Sequence, residues 1–291
     1  MPPIPGLDQV DYLTSDNLWQ LRELPRRLVV LGGGPIGCEM TQAFARFGAE
    51  VTQVEMAPYL MGREDADVAE FIRGRFEAEG VRVLTGHAAK QVVSEGQDNI
   101  LICEHDGQSV RIPFDQILVA VGRKANVTGF GLEELGVRVS ERGTIETDPF
   151  LRTNFPNILC AGDVAGPYQF THTAGHQAWY ASVNALFGDF KKFPVDYRVI
   201  PWATFTDPEV ARVGLNETEA KQQNITHEVT MFELAELDRA IAEEDEAWEA
   251  VEPYEEAFDS LGQFLSTAEA AGRLRVLLED GAAGLGLFRR A

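Results

Sequence analysis

The sequence predicts a doubly wound α/β fold, and three observations predict it. The wholly apolar run Leu28-Val29-Val30-Leu31 leads straight into Gly32-Gly33-Gly34-Pro35-Ile36-Gly37. A helical period and a second strand-like run, Glu50 to Glu55, follow at once. A further apolar run, Gln116 to Val121, ends at Gly122-Arg123 after another strand–helix–strand alternation. Short runs apolar on both faces suit strands buried in a parallel sheet, and the alternation with helices supplies the crossovers.

Taken in order, residues 1 to 25 are rich in proline and polar groups and read as a connecting segment ending at Pro25. After the glycine-rich turn, Ile36, Met40, Phe44 and Phe47 recur at helical spacing, predicting a helix with these residues inward and a stop at Gly48. Asp65 to Glu79 predicts a second helix with Val68, Phe71, Ile72 and Phe76 inward, closed by Gly80. Val81 to Leu84 reads as a strand. Gln91 to Glu95, Ile100 to His105 and Ser109 to Ile112 read as an antiparallel meander with turns at Gly96 to Asn99 and Asp106-Gly107. Beyond Gly143, Asn157 to Ala161 predicts a strand running into Gly162-Asp163, and Thr171 to Phe187 a helix ended by Gly188. Val210 to Val213 predicts a strand and Asn216 to about Gln223 a helix. Residues 233 to 271 are acidic and Ala-rich, and Arg273 to Leu278 with Leu285 to Phe288 outlines a hairpin.

The 291 residues are 45% hydrophobic and 24% charged, enough to build a folded core, and the length suits about two domains. Net charge is −21. Nucleic-acid affinity rests on Lys and Arg neutralising phosphates, so this balance argues against such a partner and against anionic membrane surfaces. The acid is uneven: 30 acids face 20 bases up to His227, and 16 face 5 after it. Cys38, Cys103 and Cys160 form no CxxC, no CxxxxC and no metal cluster, which suits a reduced, cytoplasmic setting. The N-terminal residues lack the pattern of a signal peptide, and no run of apolar residues is long enough to span a membrane.

The chemistry concentrates at strand ends. Gly32-x-Gly34-x-x-Gly37 follows a buried strand and opens a helix. Gly32 permits the tight turn, Gly34 lets backbone approach a pyrophosphate, and Gly37 permits close helix–strand packing. Glu55 ends the next strand, where its carboxylate can accept the ribose hydroxyls of NAD and would repel a 2′-phosphate, so NADH is expected over NADPH. Gly122 is a bare glycine at a strand end, and Asp163 places a carboxylate at another, suited to sugar-like hydroxyls.

The order GGGPIGCE, LVAVGRKAN, ILCAGDVAG and PWATFTDPEVARVG resembles the flavoprotein disulfide reductases, the class I pyridine nucleotide-disulfide oxidoreductases. THTAGHQAWYASVNALFG and TFTDPEVARVGLNETEAK are most similar to the mercuric reductase and dihydrolipoamide dehydrogenase branch. The resemblance covers about residues 1 to 243. It implies a Rossmann-like NAD-binding domain over 26–145, with 1–25 a linker from an FAD-binding domain. It also implies a returning piece of that FAD-binding domain over 146–190. A partial α+β dimerisation domain over 191–291 follows, with an acidic insertion at about 243–271. By the same resemblance Gly32, Gly34, Gly37 and Glu55 match the NAD site, Glu39 a glutamate near the nicotinamide, and Gly122 the glycine beside it. Asp163 matches the aspartate holding the flavin ribityl chain. Gln169, Phe170, Thr171 and His172 match a helix start whose N–H groups approach the flavin ring, where the helix dipole favours negative charge. His172 and His176 are read as packing or hydrogen-bonding residues rather than acid–base groups.

The family pattern also breaks. A preceding FAD-binding GxGxxG, the redox-active CxxxxC and a C-terminal His with a partnering Glu are not found. The chain therefore reads as the nicotinamide side of an FAD-dependent oxidoreductase that is homodimeric when complete, with a disulfide or a thiol-held metal as acceptor. It assigns no catalytic residue and no metal ligand to this chain, which is expected to be inactive by itself. Two other readings are a flavin-dependent NADH oxidase or ferredoxin reductase-like enzyme, which needs no dithiol, and an inactive nucleotide-binding truncation.

Overall fold

The computed structural model describes residues 2–233 and 273–279. Contacts divide the chain into two compact units, 1–122 with 203–291 and 123–202.

The first unit is built on a five-stranded parallel sheet. In chain order the elements are β1 (Tyr12–Leu13), β2 (Arg27–Leu31), α1 (Pro35–Arg46), β3 (Glu50–Val54), α2 (Ala66–Ala78) and β4 (Arg82–Leu84). The meander β5 (Ala88–Glu95), β6 (Asp98–His105) and β7 (Gln108–Phe114) follows, then β8 (Gln116–Val119). The strand order is β1-β8-β2-β3-β4. β2 lies between β3 and β8, with Val29 opposite Thr52 on one side and Ile117 on the other.

Successive side chains of a strand point to opposite faces, and in β2 both faces are covered. Leu28 and Val30 enter a core with Cys38 and Phe44 of α1 and Ile72 and Phe76 of α2. Val29 and Leu31 enter a second core with Val92, Leu101, Cys103, Ile112 and Phe114 of the meander. That division is why the β2 sequence is apolar without interruption. The meander, antiparallel as expected, is the outer layer. Arg27 opens β2 by pairing with Asp115 and Asp98, at 2.6 and 2.7 Å.

Two expectations are corrected here. Residues 1–25 are more than a connection: β1 adds a parallel edge strand to β8, and Leu7, Leu13 and Leu18 are buried. The inward face of α1 is set by Gly37, Cys38, Thr41, Gln42 and Phe44, whereas Ile36 is 41% and Phe47 70% exposed. The four residues at helical spacing spread over an arc wider than the face that meets the sheet. The projected C-terminal hairpin of 273–278 with 285–288 falls partly outside the described residues. β12 (Arg273–Glu279) pairs antiparallel with β11 (His227–Glu233), and residues 285–288 lie outside the described residues, as does the acidic stretch 243–271.

The second unit holds α3 (Leu132–Leu135) and α4 (Thr171–Phe187), and it ends within β9 (Pro201–Thr204). Its core gathers Ala125, Val127, Val137, Ile145 and Cys160, so residues from 123 onward, placed in the nucleotide-binding domain by the sequence reading, pack with the returning segment. Among the described residues the expected strand 157–161 is reduced to one bridge, Arg152 to Leu159. α4 runs as expected from its cap at Phe170 to Gly188.

β10 (Val210–Val213) and α5 (Glu217–Gln222) return to the first unit. α5 opens with a capping box, in which Asn216 accepts from the Glu219 amide while Glu219 reaches back to the Asn216 amide. Asp65 fastens it, accepting hydrogen bonds from the amides of Glu217 and Thr218 and from the Thr218 hydroxyl.

Candidate nucleotide and flavin site residues

The glycine-rich turn behaves as its chemistry requires. Gly32 has φ +119°, and a Cβ there would lie 2.5 Å from the Ala120 carbonyl oxygen. Around Gly34 a Cβ would meet nothing within 4 Å, so the space where a pyrophosphate backbone contact is expected is open. Pro35 takes the first position of α1, where its missing N–H costs nothing. The helix thus presents its dipole end and free amides beside the open glycine.

Glu55 closes the other side of this turn. One carboxylate oxygen accepts from the Gly33 amide at 2.5 Å, and the other accepts from the Ala57 amide at 2.7 Å. The carboxylate is thereby fixed beside the glycines with lone pairs to spare for hydroxyl donors. Gln53, wholly buried in β3, donates to the Gly32 carbonyl at 3.1 Å and supports the turn from beneath. Sequence reasoning missed it, although a glutamine next to Val54 and alternating along the strand with Val51, both buried, is the kind of signal that marks a buried polar contact.

Glu39 lies on α1, half-buried, and accepts from the Phe205 amide at 2.9 Å. Burial pushes its carboxyl above the ordinary glutamate value, and the Phe205 hydrogen bond pulls the other way. One turn on, Gln42 exchanges two bonds with the backbone of Asp207, both at 2.7 Å, so the polar side of α1 holds the segment 205–207. Gly122 has φ +132° with open space at its Cβ position. Its requirement is conformational rather than steric.

Gly32, Gly34, Gly37, Glu39, Glu55 and Gly122 all lie in the first unit; Asp163 and Gln169 to His172 lie in the second. Within the second unit, Asp163 pairs with Arg123 at 2.9 Å. Phe170 stacks on His172, with ring centroids 5.3 Å apart. His172 Nε2 donates to the Pro201 carbonyl at 2.6 Å and His176 Nε2 to the Asp196 carbonyl at 2.8 Å, the packing roles expected of them. Gln177, also missed, is fully buried; it accepts from the Gly162 amide at 2.6 Å and donates to the Gly166 carbonyl at 2.6 Å. It thereby fastens α4 to the loop carrying Asp163.

The three cysteines are buried and unpaired. Burial raises their thiols, Cys38 to about 12 and Cys103 and Cys160 to about 11, so none of them is an activated thiolate. No group of residues suited to a metal ion occurs among the described residues.

Parallel sheet, crossover helices and a glycine turn at a strand end define a doubly wound, Rossmann-like α/β protein. Residues 1–178 match the family described as pyridine nucleotide-disulphide oxidoreductase, and residues 200–250 match its dimerisation domain. The chain belongs to the pyridine nucleotide-disulphide oxidoreductase family. It is 35% identical to a mercuric reductase of Staphylococcus aureus, over 83% of this chain and 44% of that protein. It is also 35% identical to a dihydrolipoyl dehydrogenase of Chlamydia pneumoniae, over 82% of this chain and 51% of that protein. Among solved structures it resembles the HOCl-induced flavoprotein disulfide reductase RclA of Escherichia coli. The TM-score is 0.77 at 28% identity, over 96% of this chain and 58% of RclA. The chain spans about half the length of the relatives it matches.

Proposed function

We propose that this chain forms the nicotinamide nucleotide site, and one wall of the flavin site, of an FAD-dependent oxidoreductase. The observation that carries the reading is the glycine turn with open space at Gly34 and the Glu55 carboxylate held against it. These residues fit a dinucleotide: Gly34 and the α1 amides for the pyrophosphate, Glu55 for the adenosine ribose. Because a second charge beside Glu55 would be repelled, the preferred nucleotide is NADH rather than NADPH. Glu39 and Gly122 are assigned to the nicotinamide end, Asp163 to the ribityl chain, and the α4 start at Gln169 to His172 to the flavin ring.

When bound, the nicotinamide supplies a hydride and the flavin accepts it; the protein's part is orientation and electrostatics. Here the α4 N-terminus favours negative charge at its first amides. The substrate side of the complete enzyme, a disulfide or thiol-held metal ion, requires thiolates that Cys38, Cys103 and Cys160 do not supply. A flavin-dependent NADH oxidase is the second reading, and the same three buried thiols favour it. The chain works as a homodimer in a cytoplasmic enzyme under this proposal; the match of residues 200–250 to a dimerisation domain supports the first part. Among the described residues no helix is long and apolar enough to cross a membrane.

The test is titration of the purified chain with NADH and NADPH, followed by nucleotide fluorescence. Saturable NADH binding tighter than NADPH binding supports the reading; absence of binding to either refutes it.

A further inference from the structure

Arg123 has no role in the assignments above, yet its guanidinium joins two segments on which the flavin reading depends. Nη2 lies 2.9 Å from Asp163 Oδ2, and Nη1 donates to the Gln169 carbonyl at 3.4 Å. Gln169 immediately precedes Phe170, the N-cap of α4. One planar cation with a rigid fork of donors therefore spans the carboxylate and the entrance to the helix. The pairing uses only Oδ2 of Asp163. Oδ1 has no partner among the described residues and remains open to a hydroxyl donor.

An ordinary surface ion pair is the competing explanation, and magnitudes separate the two. The Arg123 side chain is 55% exposed and that of Asp163 33%. A pair so open to water is screened and adds little to folding, because two flexible side chains lose freedom to form it. Its effect on the direction of one carboxylate is not diluted in that way. A shift of a contact by an ångström is enough to spoil a binding geometry.

We propose that Arg123 is a positioning residue for a flavin: it aims the Asp163 carboxylate at the polyol hydroxyls and fixes its spacing from the α4 amides. The identity of the ligand rests on the reading above; the positioning itself does not.

The experiment compares the wild-type chain with Arg123→Lys, Arg123→Met, Asp163→Asn and the Arg123→Met/Asp163→Asn double variant. Three readouts are taken: melting temperature, deuterium uptake of peptides spanning residues 162–175 in flavin-free protein, and FAD affinity from flavin fluorescence. The melting temperature of Arg123→Met should move by less than about 4 °C. Its uptake over residues 169–174 should be faster, and Arg123→Lys should restore part of the protection. The FAD dissociation constant should rise about tenfold in each of Arg123→Met and Asp163→Asn, and no further in the double variant, since the two act as one unit. Unchanged uptake and affinity in Arg123→Met, or additive losses in the double variant, would overturn the proposal. If the wild-type chain takes up no FAD, the flavin assignment of this wall fails, and uptake decides the positioning role alone: faster exchange upholds it and unchanged exchange overturns it.

Discussion

A Cβ placed on Gly37 would stand 2.2 Å from the carbonyl oxygen of Gly32. The clash is with backbone, so no rotamer relieves it. Gly37→Val should wedge α1 away from β2, cost about 1–3 kcal/mol or more in urea unfolding, and abolish binding of both NADH and NADPH. Gly34→Ala, with open space at its Cβ position, should leave stability far closer to wild type and lower nucleotide affinity. A Gly37→Val protein of wild-type stability and affinity would contradict the geometry.

Glu55 sets the second prediction. Glu55→Gln keeps the size of the side chain but removes the charge. Discrimination between NADH and NADPH should shrink about tenfold or more, chiefly because NADPH is no longer repelled. Paired fluorescence titrations of both proteins give this ratio directly; an unchanged ratio places the preference elsewhere.

Glu39 predicts a pH effect. Its carboxyl is raised in the folded protein, mainly by burial. Between the unfolded and folded values the native state binds more protons than the unfolded one, so this group makes stability fall as pH rises. Glu39→Gln removes that slope. The melting temperature of the variant relative to wild type should increase from about pH 4 toward neutrality, reflecting the reference glutamate value and its upward shift. A difference independent of pH would mean that burial does not govern this carboxyl.

The thiols predict inertness. With Cys38, Cys103 and Cys160 buried and their thiols raised, Ellman's reagent should label none of them in the native chain at neutral pH and all of them in denaturant. The chain alone should show no appreciable NADH-dependent turnover of lipoamide or mercuric ion, because the thiolate chemistry has no nucleophile. Robust turnover would mean that a cysteine has been misjudged.

A fifth prediction concerns α4. Trp179, Leu186 and Phe187 are each more than half exposed, and Phe190 just beyond the helix is 91% exposed. Such an apolar grouping favours association. The chain should self-associate at micromolar and higher concentration, and Leu186→Lys with Phe190→Lys should reduce this in sedimentation experiments without loss of NADH binding.

Much of the first unit was legible because its signals are local. The Leu28–Leu31 run, the three spaced glycines and Glu55 each declare a role within a short window, and the structure arranges them as that window suggests. What escaped depends on partners distant in sequence. β1 carries only Tyr12 and Leu13, too little period for a strand, and exists because β8 offers an edge. The pairing of β11 with β12 joins segments separated by the acidic stretch, a partner too distant in sequence for a local window to reveal. Gln177 and Arg123 read as unremarkable polar residues until the fold brings Gly162 and Asp163 beside them. For Ile36 and Phe47 the period was sound, but the width of the buried stripe is set by the sheet rather than by the helix.

β2 gives Leu28 and Val30 to one core and Val29 and Leu31 to the other, and these four residues pair with strands on either side. Neither core can come apart while the other persists without breaking that shared strand. The helical layer and the meander should therefore unfold as one cooperative block, and the β2 amides should be the last in the first unit to exchange with solvent, at the rate of global opening. A ligand held at the end of β2 would then slow exchange far from its own contacts, in the meander as much as at the glycine turn, because every route to opening passes through the strand it steadies.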